Sequence, residues 1–209
     1  QFLMNQIYEN KLVHQELVLS IKESRIQALQ MQINPHFLYN TLDTIVLLAE
    51  AGQKEQVVSM VQTLSDFFRA SLNSGKDIVS LEGECRHITS YLQIQQVRYQ
   101  DILTYDVDIP EEIANCKIPK ITLQPLVENA LYHGIKNKRG KGRIVVTGRR
   151  EKDKCVIRVE DNGIGMTKER LNQVRGGLTT KIEDSNDFYG LYNVNERIRV
   201  KFGEEYGLS

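Results

Sequence analysis

Apolar residues recur at seven-residue spacing near the start of the chain, at Leu12, Leu19, Ile26 and Ile33, and this row constrains the fold more than any other feature. A seven-residue period turns an apolar seam toward a partner helix in a left-handed supercoil. Leu29 adds a partial second row, while Gln15 and Lys22 keep the rest polar, so the seam is narrow. Helical spacing continues through Leu38, Leu42, Ile45 and Leu48, so residues 1 to about 50 read as helix. Pro35-His36 falls inside that run. Proline there removes a backbone hydrogen bond and clashes with the preceding turn, at about 3 kcal/mol. The distortion sits beside an imidazole, a side chain that can attack through one nitrogen while the other is held as N–H.

Ala51-Gly52-Gln53 reads as a turn with Gly52 in the left-handed cap. A second helix is expected from about Lys54 to Asn73, with Val57, Val58, Val61, Leu64, Phe67, Phe68 and Leu72 on its apolar face. Two helices joined by a tight turn make an antiparallel hairpin too thin to bury its own stripe, so pairing into a dimeric four-helix bundle is the expected remedy. After Asn73-Ser74-Gly75, a third helix opens at Ser80 and runs to about Tyr99; Gly83 stands where a capping box favours glutamate.

The pattern then changes. Leu103 to Ile109 alternates as a strand and stops at Pro110. Pro119 to Ile135 reads as one helix with Pro125 in its first turns. Arg143–Arg149 and Cys155–Glu160 read as adjacent strands joined by Glu151–Lys154. Gly163 to Asp187 reads as loop apart from a short helical piece at Lys168 to Val174, and a last helix spans Tyr189 to Lys201. Helices and strands without regular βαβ alternation predict an α+β fold, with helices on one face of a mixed or antiparallel sheet.

Lysine plus arginine equals aspartate plus glutamate at 27 each, which speaks against nucleic-acid binding through bulk charge. The three cysteines, Cys85, Cys116 and Cys155, are scattered and form no CxxC pair, so neither a disulfide framework nor a zinc site is expected, and a reducing compartment suits them. No apolar run is long enough for a membrane span. The chain begins at Gln1 and not at methionine, so it reads as a piece of a longer protein, and membrane spans upstream of it would not show in this sequence.

Three clusters in the second half carry chemistry. Glu128-Asn129-Ala130-Leu131-Tyr132-His133-Gly134 lies on a predicted helix, which puts Asn129 and His133 on one face. An amide oxygen there suits a magnesium-bound triphosphate, because Mg²⁺ prefers oxygen ligands. Asp161-Asn162-Gly163-Ile164-Gly165 follows a strand; a carboxylate at that point can accept a hydrogen bond from a heterocycle's amino group, and glycines permit close backbone approach. It lacks the GxGxxG dinucleotide pattern. Gly190-Leu191-Tyr192-Asn193 opens the last helix, where backbone N–H groups and the helix dipole favour phosphate.

Each cluster is weak alone. Asn34-Pro35-His36-Phe37-Leu38-Tyr39-Asn40, Gln124-Pro125-Leu126-Val127-Glu128-Asn129, Asp161-Asn162-Gly163-Ile164-Gly165 and Gly190-Leu191-Tyr192-Asn193-Val194-Asn195-Glu196-Arg197, in that order, are specific. Together they resemble the bacterial sensor histidine kinases of the LytS/YesM-like group over nearly the whole chain. The resemblance implies a dimerisation and phosphotransfer segment over 1–100 and a gyrase-type α/β sandwich that binds ATP over 101–209, with closing strands expected beyond Ser209. It implies His36 as phosphoacceptor; no acidic residue directly follows it, and Asn40, one turn on, is a candidate to hold its ring. Asn129 would bind Mg²⁺ and His133 would stand near the phosphates. Asp161 would read the adenine amino group, and Gly163 and Gly165 would shape the pocket. Gly176, Gly177 and Lys181 would belong to a lid, and Gly190 and Leu191 to the second phosphate box. That box usually reads Gly-x-Gly-Leu, whereas Phe188 stands first here. The implied reaction is ATP-dependent phosphorylation of His36 and transfer to an aspartate of a response regulator receiver domain, by a homodimer in the cytoplasmic part of a membrane sensor. Two other readings stay open: a nucleotide-binding dimeric switch with impaired kinase activity, and a gyrase-type ATPase.

Overall fold

The computed structural model describes residues 35–71, 77–100, 102–179 and 189–209. The heptad row, Leu72 to Lys76, Lys181 and Phe188 lie outside the described residues. The chain divides into two compact units, Gln1–Ala51 and Gly52–Ser209.

In the first unit, helix α1 spans Pro35–Glu50. Phe37, Thr41 and Leu48 are buried along one stripe, and the Thr41 hydroxyl donates back to the Phe37 carbonyl at 2.7 Å. Tyr39, Leu42, Val46 and Leu47 are exposed. The helix ends at the expected turn: Gly52 has φ +71, a conformation that costs glycine nothing.

The second unit opens with α2, Lys54–Ser71, followed by the short strand β1, Ile78–Ser80, and helix α3, Leu81–Arg98. Ser80 caps α3 as expected, its hydroxyl accepting the Gly83 N–H at 3.2 Å. α3 packs on α2 and buries Leu81, Ile88, Tyr91 and Leu92 completely. Next come β2, Leu103–Asp108, a single turn α4, Glu111–Ala114, and β3, Lys117–Pro119, which pairs antiparallel with β1. The main sheet continues with β4, Gly142–Glu151, and β5, Lys154–Asp161. Its order is β2-β4-β5, with β2 parallel to β4 and β4 antiparallel to β5, so it is mixed. Helix α6 spans Lys168–Thr179 and α7 spans Tyr189–Phe202.

Three expectations are corrected. The single helix expected from Pro119 to Ile135 is three pieces: the end of β3, helix α5 at Leu123–Asn129, and a π-helical turn at Ala130–Ile135. Between β3 and α5, Ile121 takes φ +57, rare for a β-branched residue. Glu84 of α3 holds it there by accepting the N–H groups of Ile121, Thr122 and Leu123 at 2.7, 2.9 and 3.2 Å. Arg197 of α7 donates to the carbonyls of Lys120 and Ile121 at 2.9 and 2.7 Å. Local spacing could not disclose this turn, because both clamps come from distant sequence. α6 outlasts the expected short piece by five residues, so Gly176 and Gly177 lie on a helix. Last, Cys116 and Cys155, 39 residues apart, are brought side by side, and Cys85 is free and buried. Scattered spacing concealed a pair that the fold brings together from the segment before β3 and the start of β5.

Candidate functional site

α5 is set in place at its first turn by Glu84, and its proline falls at the third helical residue, where no intrahelical N–H bond is lost. The helix carries Asn129 at its last position, half-buried. Past it the backbone widens: the Lys136 N–H bonds the Leu131 carbonyl at 2.8 Å, a spacing of five residues. In a wider turn, residues four apart no longer stack. Asn129 lines a cleft of about 750 Å³, whereas His133 is exposed and is not among the lining residues.

β5 delivers Asp161 to the same cleft. Its Oδ1 accepts the Gly163 N–H at 2.8 Å, which fixes the carboxylate at the strand end. The Asn162 side chain accepts the Arg143 N–H at 2.7 Å, and the Ile164 N–H bonds the Gly134 carbonyl at 3.1 Å. The loop after β5 therefore lies directly on the π-turn. A Cβ on Gly163 would strike the backbone of Gly134, and one on Gly134 would lie 2.5 Å from Asp161 Oδ1. Gly165 has φ +69. Gly163 is needed for close approach and Gly165 for its left-handed backbone. The sequence places Gly134 at the end of its motif without a role; only the Asp161 contact gives it one.

From the last helix, Leu191 lines the cleft, and Gly190 lies exposed in the same first turn, where an added Cβ would stand 3.9 Å from the Pro125 side chain. Val174 and Leu178 of α6 add an apolar wall. Buried Asn195 of α7 ties that wall to the chain's last residues: its amide donates to the Leu178 carbonyl at 2.7 Å and accepts the Leu208 N–H at 2.8 Å. Tyr206 and Leu208 complete the lining, and the Lys154 ammonium stands 4.5 Å from the Tyr206 ring centre. Sequence reasoning missed these tail residues, since no motif marks them. Asn129, Asp161 and Leu191, drawn from three separated motifs, thus share one cleft.

In the other unit, His36 is exposed on the first turn of α1. Asn40 lies one turn on, half-buried, and its Nδ2 finds no partner among the described residues.

The cleft suits a nucleotide with a magnesium ion. Its volume lies within the range of small-molecule sites, Asp161 keeps a second carboxylate oxygen beyond the one bonded to Gly163, and Asn129 offers a neutral amide oxygen.

Residues 24–103 match the family described as histidine kinase. Residues 119–208 match the family of histidine kinase-, DNA gyrase B- and HSP90-like ATPases. The chain is 40% identical over 207 residues to sensor histidine kinase YesM of Bacillus subtilis, covering 99% of this chain and 34% of that protein. It is 35% identical over 209 residues to sensor histidine kinase BtsS of Escherichia coli, covering 100% of this chain and 34% of that protein. Identity to sensor protein LytS of Staphylococcus saprophyticus is 34% over 189 residues, covering 90% of this chain and 32% of that protein. The chain therefore spans about a third of the length of the curated relatives it matches. With both segments present in order and identity sustained along the whole chain, it belongs to the sensor histidine kinase family.

Proposed function

We propose that this chain is the kinase core of a two-component sensor, with residues 1–100 serving dimerisation and phosphotransfer and residues 101–209 binding ATP. The convergence of Asn129, Asp161 and Leu191 on one cleft carries the reading. Asp161 would accept the adenine amino group, and Asn129 would hold Mg²⁺. His133, Gly190 and Lys181 are proposed on the phosphate side, with Lys181 in the lid. Magnesium, when bound, would neutralise charge on the phosphates.

His36 is the proposed nucleophile. An imidazole nitrogen lone pair forms the N–P bond as the bond from the γ-phosphorus to the bridging oxygen breaks, and ADP leaves. Exposure of His36 leaves it reachable by a donor, and Asn40, one turn on, is proposed to hold its ring. The phosphoryl group then passes to an aspartate carboxylate of a receiver domain, breaking the N–P bond and forming O–P. The reaction asks for positioning more than covalent help. A homodimer within the cytoplasmic part of a membrane sensor is the proposed setting; among the described residues no helix is long and apolar enough to cross a membrane.

The ATPase reading needs a carboxylate to orient water. Glu128 is absent from the cleft lining, and its carboxylate accepts a hydrogen bond from Gln124 inside the fold at 2.9 Å. Incubation with radiolabelled ATP tests the kinase reading. The expected product is an acid-labile, base-stable phosphoprotein, absent from His36→Gln although that variant still binds ATP. Label persisting in His36→Gln would overturn the assignment, and free phosphate without labelled protein would favour the ATPase.

A further inference from the structure

We propose that Gln124 and His87 are positioning residues for the nucleotide cleft, acting through a buried hydrogen-bonded chain that sets the roll of α5. The inference rests on the nucleotide reading above.

Gln124 is buried and bridges two elements. Its amide nitrogen donates to Glu128 Oε1 at 2.9 Å, one turn along α5. Its amide oxygen faces His87 Nε2 of α3 at 2.7 Å. With the amide nitrogen committed to a carboxylate, the oxygen must accept, so His87 carries its proton on Nε2. The imidazole is itself held: it stacks on Phe67 with ring centres 4.6 Å apart, and its Nδ1 lies 3.4 Å from the Ser71 hydroxyl at the end of α2. On α3 the Tyr91 hydroxyl accepts from the Gln95 amide at 2.9 Å. Gln95 also donates to the Tyr132 hydroxyl at 3.2 Å, in the π-turn.

Gln124 and Glu128 stand four apart and face the core, whereas Leu126 and Asn129 line the cleft. Rolling α5 enough to turn Asn129 away would break both bonds of Gln124 and leave buried polar groups unpaired, a loss that apolar packing alone would not impose. None of these hydrogen-bonded side chains lines the cleft, so the chain acts on the nucleotide only through the helix that carries Asn129.

Calorimetric binding of ATP with Mg²⁺ to the whole chain tests this, with folding of every variant checked by thermal unfolding. Gln124→Leu removes donor and acceptor together, and binding is expected to weaken about tenfold or more, the scale of an unpaired buried polar group. His87 supplies the second arm. Glutamine places an N–H where Nε2 stood and asparagine does not, so His87→Gln is expected to bind within about threefold of the parent and His87→Asn to lose about tenfold. Unchanged affinity in Gln124→Leu would overturn the inference. Equal losses in the two His87 variants would overturn it as well, because shape and not the hydrogen bond would then matter. Should Gln124→Leu not fold, the His87 pair decides. A parent chain that binds no ATP would overturn the nucleotide reading and this inference with it.

Discussion

Asp161 sits where β5 ends, exposed and lining the cleft, with one oxygen fixed by the Gly163 N–H. A bound heterocycle would cover this carboxylate, and its amino group would become the partner that replaces water. Asp161→Asn keeps the shape and the Gly163 bond but presents an N–H donor toward the amino group. ATP binding is expected to weaken by about 1–3 kcal/mol, roughly five- to 150-fold, as measured by calorimetry. Affinity equal to the parent's would place the adenine elsewhere. His87 gives a pH dependence of folding. Burial pushes its pKa below the usual imidazole value of 6.5, with Lys120 pushing the same way and Gln124 and Glu84 opposing. The folded state therefore favours the neutral ring and binds fewer protons than the unfolded chain near pH 6.5. Its contribution is fully present above the unfolded pKa and is lost as pH falls from there toward the folded value. Urea midpoints are expected to fall more steeply between about pH 7 and 5 in the parent than in His87→Gln, which cannot titrate. Identical slopes would contradict it.

At the scale of the element, the start of α5 is held by groups remote in sequence. Three N–H groups that begin the helix are satisfied by Glu84 alone, a fully buried carboxylate on α3. Glu84→Ala strands those donors, and the unfolding free energy is expected to drop by about 2–4 kcal/mol in urea titrations. Glu84→Gln keeps one acceptor oxygen and should lose less. A drop below about 0.5 kcal/mol for Glu84→Ala, the range of an ordinary surface change, would show that the turn at Ile121 holds without it. The same element shows where reading by spacing succeeds and stops. Leu123, Val127 and Leu131 do fall on a buried stripe, as their spacing required. The break before Leu123 and the widening after Asn129 do not show in that spacing, because apolar residues continue evenly across both. The capping serine of α3 was legible because its signal lies within four residues; the β1–β3 pair was not, being three residues long on each side.

For the whole molecule, each unit leaves apolar side chains in solvent. α1 exposes Tyr39, Leu42, Val46 and Leu47, and Val58 and Val61 of α2 are exposed as well. On α1 the first three recur at helical spacing and make a stripe. A homodimer buried along such stripes would remove them from water, in keeping with the seven-residue row of Leu12, Leu19, Ile26 and Ile33. Light scattering at tens of micromolar, roughly the range in which weak dimers form, is expected to return twice the mass of one chain. Leu42→Glu with Val46→Glu should shift it toward the monomer. A parent that is monomeric at that concentration would sink the bundle.

Order of motifs was enough to name the family and the parts of the cleft, because Asn129, Asp161 and Leu191 each sit in short, locally readable segments: a helix, a strand end and a helix start. The glycines at 163 and 165 were legible for the same reason, since a missing Cβ has a local use. Tertiary structure decided the rest. It brought Cys116 beside Cys155, turned His133 out of the cleft lining, gave Gly134 its purpose beneath Asp161, and drew Ser71, His87, Gln124 and Glu128 into one buried chain. These are contacts between side chains 16, 37 and 39 residues apart, and no local period or propensity carries information about such pairs. Only packing, which makes each buried polar group find a partner wherever the fold supplies one, selects them.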